Sequence, residues 1–318
     1  MMKYGHIPGI EKPLSRLVQG TIMCNTNEQE KCNDLLDAVL KHGINTFDTA
    51  HGYGNGECER SVGTWINSRG VREQVVILGK GCHHSRDRQR VTPFDISADL
   101  HDSLARFKTD YIDLYVLHRD DPGVEVGPIV ERLHQHKEEG LIRAYGGSNW
   151  SHERVAAANA YAAAHGLTPF AVSSPNFSLA YQAKEPWENC ISISGPAGAA
   201  ARAWYQDSGV ALFTWSSLAG GFFSGRFRPD NLDTFETYFD KLCVEVYCFD
   251  DNWGRLARTE QLAAEKGVSL ARVALAYVLS QPQDIYALIA CYNEQEVVDN
   301  VQALELALTA EELAFLEG

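Results

Sequence analysis

Short apolar, β-rich runs recur along this chain about every 30 residues, each followed by a longer segment with helical spacing. The runs are Leu17 to Ile22, Asn45 to Thr49, Val75 to Lys80, Ile112 to His118, Arg143 to Ser148, Phe170 to Ser173, Ala211 to Ser216 and Ala287 to Ala290. Helical spacing fills Glu28 to His42, Glu57 to Ser68, Phe94 to Phe107, Pro128 to Glu139, His152 to His165, Pro196 to Ser208 and Asn252 to Ser280, the last broken near Gly267. Thr92-Pro93 and Ser151 are N-terminal caps, and Gly43, Gly140, Gly166, Gly209 and Gly267 sit where helices stop. Eight strands alternating with helices in one chain predict a single (β/α)8 TIM barrel spanning 1–318, an α/β fold, rather than a doubly wound sheet. No dinucleotide fingerprint opens the chain, and neither Gly52-Tyr53-Gly54-Asn55-Gly56 nor the Gly220 to Gly225 segment has its spacing. The connection from about Gly220 to Asp250 is long for a barrel and reads as a lid or binding loop.

Composition narrows the partners. Twenty-eight Lys and Arg against 42 Asp and Glu give a formal charge of -14, which argues against nucleic acid or an anionic membrane surface. The densest basic run, Arg86 to Arg90, reads as a solvated loop. No stretch approaches the roughly 20 apolar residues of a membrane span, and Met1 to Gly20 is too charged for a secretion signal. A soluble, unprocessed, cytoplasmic protein with free thiols at its eight cysteines is expected. No metal is expected: Cys243 and Cys248 lack ligand spacing, while His83-His84 and His134-x-His136 read as exposed imidazoles.

A barrel carries its chemistry at the C-terminal ends of its strands, so polar residues there are the informative ones. Asp48 ends the second run with Tyr53 in the loop beyond, Lys80 ends the third and His118 the fourth. An Asp and a Lys on adjacent strand ends are costly to bury singly, so they are expected to pair. A phenol beside the ammonium is then expected to have its pKa drawn down from about 10, toward the range of a working proton donor. A histidine alongside has the reach to hold a substrate oxygen.

These residues resemble the aldo-keto reductases. The likeness lies in Asn45-Thr46-Phe47-Asp48-Thr49-Ala50-His51-Gly52-Tyr53-Gly54-Asn55-Gly56-Glu57 with Glu59 and Gly63, in the spacing of Lys80 and His118, and in Ser148-Asn149, Trp215 to Gly221 and Asp299-Asn300. It implies a barrel that binds an extended NAD(P)H and moves hydride to or from a carbonyl carbon. Tyr53 is then the general acid, tuned by Lys80 and Asp48, and His118 orients the carbonyl. Ser148 and Asn149 hold the carboxamide, Ser174 stands where many members carry Gln, and Trp215 stacks on the nicotinamide. Ser216, Leu218, Gly220 and Arg226 lie along the pyrophosphate, with Gly20 and Thr21 completing the cofactor contacts. Met23 and Trp150 line the substrate mouth with Tyr53, His118 and the segment after Arg119-Asp120-Asp121-Pro122.

The adenosine end departs from the NADP-using pattern. Ala290, Cys291 and Glu296, counted back from Asn300, stand where basic and hydroxyl residues meet the 2′-phosphate. A carboxylate there repels phosphate and accepts from a ribose hydroxyl, so NAD(H) is slightly favoured over NADP(H). The expected partners are the dinucleotide and a small aldehyde, ketone or sugar. Two other readings stand beside this one: a cofactor-sensing regulatory subunit with slow turnover, and a metal-dependent hydrolase or isomerase using His118 and Asp120. Oligomeric state is not written in these residues.

Overall fold

The structure, a computed structural model, describes residues 1–318. Eight parallel strands close into a barrel in chain order: β1 (Leu17–Gly20), β2 (Thr46–Asp48), β3 (Val76–Gly81), β4 (Ile112–Leu117), β5 (Ile142–Ser148), β6 (Val172–Ser174), β7 (Ala211–Thr214) and β8 (Ile285–Ile289). Strand β8 returns to pair with β1, so no sheet edge is left open.

Side chains alternate across each strand, and the alternation sorts the apolar residues into two cores. Val76 and Leu78 of β3, Leu114 and Val116 of β4, Ala144 of β5 and Val172 of β6 fill the barrel interior. Their neighbours Ile77, Tyr115 and Tyr145 face the outer helices. Extending the inward series by two residues reaches Lys80, His118 and Ser174, and by four, through Gly146, reaches Ser148, so the period that builds the core also aims these four polar side chains at the axis.

The outer layer consists of α1 (Gln29–Lys41), α2 (Glu57–Arg69), α3 (Pro93–Phe107), α4 (Val126–Glu138), α5 (His152–His165), α6 (Ala199–Ser208), α7 (Tyr238–Tyr247), α8 (Asp250–Lys266), α9 (Leu270–Leu279), α10 (Glu294–Ala303) and α11 (Ala310–Glu317). Gly63 of α2 lies against α3 so closely that a Cβ would come within 2.7 Å of the Phe107 Cα. Buried Glu59 fixes the same contact, accepting from Arg106 at 2.9 Å and from Ser103 at 2.7 Å.

Two regions depart from expectation, and a third adds contacts to it. A short antiparallel hairpin, Tyr4–Gly5 with Leu14–Ser15, precedes the barrel, and Ile7, Ile10 and Leu14 pack into its interior. The long connection after β7 is partly helical: 3₁₀ turns at Ala219–Ser224 and Leu232–Thr234 lead into α7, which Thr237 caps by accepting from the Asp240 N–H. Finally, the Arg86 to Arg90 segment is the solvated loop expected, with ion pairs to α3 that the sequence did not indicate. Arg88 donates to both oxygens of Asp95, and Arg90 donates to Asp99 at 2.5 Å.

Asp95 also completes the capping box of α3 with Thr92. The Arg88 hydrogen bond, helped by Thr92, holds its carboxyl near pKa 2, below the usual 3.8. A depressed folded-state value stabilises the fold above the unfolded pKa and loses that stability as pH falls. The contribution, about 2 kcal/mol, is therefore present above about pH 4 and gone near pH 2. Asp95→Asn is expected to lower the melting temperature at pH 7 and to shrink the difference from the parent protein at pH 2, read by thermal denaturation at both values.

Candidate active site

The C-terminal ends of the strands enclose a cavity of about 450 Å³. Lys80 and Asp48 stand side by side in its floor, both buried, with the ammonium donating to Asp48 Oδ1. The Lys80 Nζ is 5.0 Å from the centroid of the Tyr53 ring, and that ring meets His118 edge-on at 5.6 Å between centroids. Tyr53 is carried by a tight turn after β2 in which Gly54, Asn55 and Gly56 all have positive φ. Glycines at 54 and 56 make that turn inexpensive.

Burial and charge set opposing forces on these groups. For Tyr53 burial dominates and raises the phenol above its usual value, while Lys80 pulls it down. The expectation of a net depression is thus corrected: losing water costs a phenolate more than the ammonium returns, and Lys80 limits the rise rather than reversing it. Asp48 is likewise raised by burial against the pull of Lys80. For Lys80, burial works to lower the value, but Asp48 and Tyr53 together outweigh it and the ammonium is held. Burial, then Lys80 and Arg119, push His118 well below the usual imidazole range, so it is neutral at pH 7. Its Nδ1 is buried without a partner.

The remaining sequence candidates divide into three groups. Ser148, Asn149, Ser174, Trp215 and Ser216 line the cavity together with the four residues above. Asn149 and Ser216 do so from left-handed backbone, φ 58° and 52°. The Asn149 Oδ1 accepts from the Trp215 indole at 3.2 Å and from the Ile191 N–H at 3.1 Å, which fixes the indole plane.

A second group lies outside the cavity lining. Thr21 is buried and donates to the Asp48 carbonyl at 3.0 Å, while Gly20 pairs with Asp48 across the strands. Leu218 packs on the outer core, and Gly220, φ 62°, sits beside Tyr247. Arg226 is ion-paired with Asp240 at 2.8 Å. Ala290 is exposed, and Cys291 is buried, accepting from Asn300 Nδ2 at 3.2 Å. Glu296 takes the Tyr292 N–H and the Asn293 side chain at the start of α10, each at 2.8 Å.

The third group is displaced from the mouth. Trp150 is fully buried, its indole donating to the Arg119 carbonyl and its ring packed on Phe170. The left-handed turn at Asn149 takes the chain off the barrel axis, so the next side chain enters the outer core. Met23 also packs on that core, and Ile22 faces the cavity instead. Asp120 is held by Arg154 at 3.0 Å and does not join His118 as a ligand pair.

Several wall residues carried no signal of their own. His83 stands 4.8 Å from His118, ring to ring, and lines the cavity with His84, which corrects their reading as exposed imidazoles. His136 is buried and bonded to Ser97 and Glu139, and His134 pairs with Thr168. Trp187 donates to the Tyr238 hydroxyl at 2.8 Å, joining the loop after β6 to α7 across the mouth. Arg119 itself lines the cavity, whereas the segment after Arg119-Asp120-Asp121-Pro122, expected at the mouth, contributes no residue to the lining.

The closed parallel barrel gathers an ion-paired lysine, a tyrosine and a histidine in one cavity at the C-terminal ends of its strands. The chain belongs to the aldo/keto reductase family, which matches residues 16–318. It is 28% identical to a probable aryl-alcohol dehydrogenase, AAD4, of Saccharomyces cerevisiae, over 91% of this chain and 88% of that protein. It is 26% identical to a probable voltage-gated potassium channel subunit beta of Oryza sativa subsp. japonica, over 89% of this chain and 84% of the other. The fold is shared with the thermostable aldo-keto reductase Tm1743, solved with epalrestat, at a TM-score of 0.75, 20% identity and 99% coverage of both chains. Members of this family are oxidoreductases that use nicotinamide cofactors on carbonyl or alcohol substrates. No helix is long and apolar enough to cross a membrane.

Proposed function

We propose that this chain is an NAD(P)(H)-dependent oxidoreductase that reduces a small aldehyde, ketone or sugar, or oxidises the matching alcohol, with Tyr53 as general acid and base. The observation that carries the reading is the convergence of Tyr53, the Lys80–Asp48 pair and His118 on the floor of one cavity. The lining fits the nicotinamide end of the cofactor: an indole held in a fixed plane by Asn149, with the hydroxyls of Ser148 and Ser174 beside it. A bound nicotinamide supplies or accepts the hydride.

The chain's own residues handle the proton. The raised Tyr53 pKa keeps the phenol protonated at neutral pH, as a donor to a carbonyl oxygen must be. Lys80 stabilises the phenolate left behind, and Asp48 keeps the ammonium in place. Neutral His118 donates to the same oxygen and fixes its direction. Ser148 Oγ donates to the Ser174 carbonyl at 3.0 Å, and Asn149 Nδ2 donates to the His118 carbonyl at 3.3 Å. A carboxamide bound there exchanges for one of those bonds.

Titration with each cofactor, followed by a panel of aldehydes, ketones and aldoses read by nicotinamide absorbance, tests the reading. Aldehyde-dependent cofactor oxidation is expected. Tight cofactor binding with negligible turnover would favour the sensing role, which the likeness to the channel beta subunit supports.

NADH is expected to be preferred to NADPH. Glu296 leaves a carboxylate at the start of α10, where a 2′-phosphate requires cations, and Arg226 is occupied by Asp240. Glu296→Arg is expected to move the ratio of kcat/KM toward NADPH by about tenfold, the worth of one charge-assisted hydrogen bond. A parent preference for NADPH, unmoved by the substitution, would remove this loop from cofactor choice.

A further inference from the structure

Arg119 follows His118 directly and is only 3% exposed, yet it meets no carboxylate. Its Nε donates to the Glu188 carbonyl at 3.2 Å and one terminal nitrogen donates to the His118 carbonyl at 2.9 Å. Both acceptors are neutral backbone atoms, so the guanidinium charge stands uncompensated in the cavity wall. The fold treats comparable arginines differently. Arg72, Arg106 and Arg154 are all more exposed than Arg119, and they pair with Asp113, Glu59 and Asp120 at 2.9, 2.9 and 3.0 Å.

A buried charge without a counter-ion is expensive, and a fold that pairs Arg72, Arg106 and Arg154 tolerates a more deeply buried one unpaired where a ligand brings the missing charge. Within the cavity Lys80 is already satisfied by Asp48. The Glu188 carboxylate belongs to an exposed residue and forms no ion pair. Beside Arg119 the mouth is aromatic, with Trp187 bonded to Tyr238 and Phe239 next in line.

We infer that the site selects carbonyl substrates that also carry a carboxylate, which Arg119 binds while the aromatic mouth covers the apolar part. The inference rests on the hydride-transfer reading and adds the substrate class to it. The guanidinium fork matches a carboxylate's two oxygens, and in a partly dry cavity such a contact is worth about 10- to 100-fold in affinity. Arg119 is a specificity-determining residue here, separate from the four that handle the proton.

The test compares 4-carboxybenzaldehyde with 4-methylbenzaldehyde as the ratio of their kcat/KM values in the parent protein, Arg119→Met and Arg119→Lys. The ratio is expected to fall by about 10- to 100-fold in Arg119→Met and to recover in part in Arg119→Lys. A ratio that stays within about twofold overturns the inference, as does weakened NADH binding at an unchanged ratio, which would turn Arg119 toward the cofactor phosphates. Binding of benzoate against benzamide, read from tryptophan emission, requires no turnover. Benzoate is expected to bind the parent more tightly and to lose that advantage in Arg119→Met, and equal binding of the two overturns the carboxylate site. If benzoate is selected but neither aldehyde is reduced, the carboxylate site stands and the hydride reading fails.

Discussion

Tyr53→Phe is expected to lower carbonyl reduction by about 10²- to 10⁴-fold, the usual worth of a positioned general acid. The change removes one oxygen from a ring whose position is set elsewhere, by the turn through Gly54, Asn55 and Gly56 and by edge contact with His118. Melting temperature and cofactor affinity are therefore expected to stay close to the parent values. That combination separates a chemical role from a structural one. Near-normal reduction by Tyr53→Phe would remove the phenol from the mechanism and leave the cavity without its proton donor.

Lys80→Met is expected to damage both catalysis and stability. Lys80 is the largest influence holding the Tyr53 pKa down against burial, so its loss lets that pKa rise further. In alcohol oxidation, which requires the phenolate, the limb of the pH profile set by Tyr53 then moves to higher pH. Asp48 is left buried without its partner, at a cost of about 3–5 kcal/mol unless it takes up a proton. The double variant Asp48→Asn with Lys80→Met is expected to recover much of the stability and none of the activity. An unmoved pH limb in Lys80→Met would reduce the pair to a structural ion pair.

The barrel was legible because its strands are buried on both faces and read as continuous apolar runs between capped helices. The end of each run also marked the site, since the inward series Val76, Leu78, Lys80 and Leu114, Val116, His118 continues past the core into the cavity. Reading failed where tertiary placement overrides local pattern. Trp150 follows a strand as a mouth residue should, but one left-handed residue at Asn149 diverts it into the outer core. The N-terminal hairpin has strands of two residues, too short for periodicity to register. Helix α7 lies within the Gly- and Phe-rich connection that reads as loop, and its Thr237 cap is evident only in the structure. The Trp187–Tyr238 contact joins side chains 51 residues apart and has no local signature. The direction of the Tyr53 shift depends on how much water the fold removes from the phenol, a quantity absent from the residue order.

Direct hydride transfer is the central claim, and following deuterium tests it most directly. With nicotinamide cofactor deuterated at the transferring position and an aldehyde that the protein accepts, the product alcohol is predicted to carry one deuterium on the former carbonyl carbon. Its hydroxyl proton is predicted to come from solvent by way of Tyr53. Product bearing only solvent hydrogen on that carbon, with the deuterium retained in the cofactor, would contradict the account.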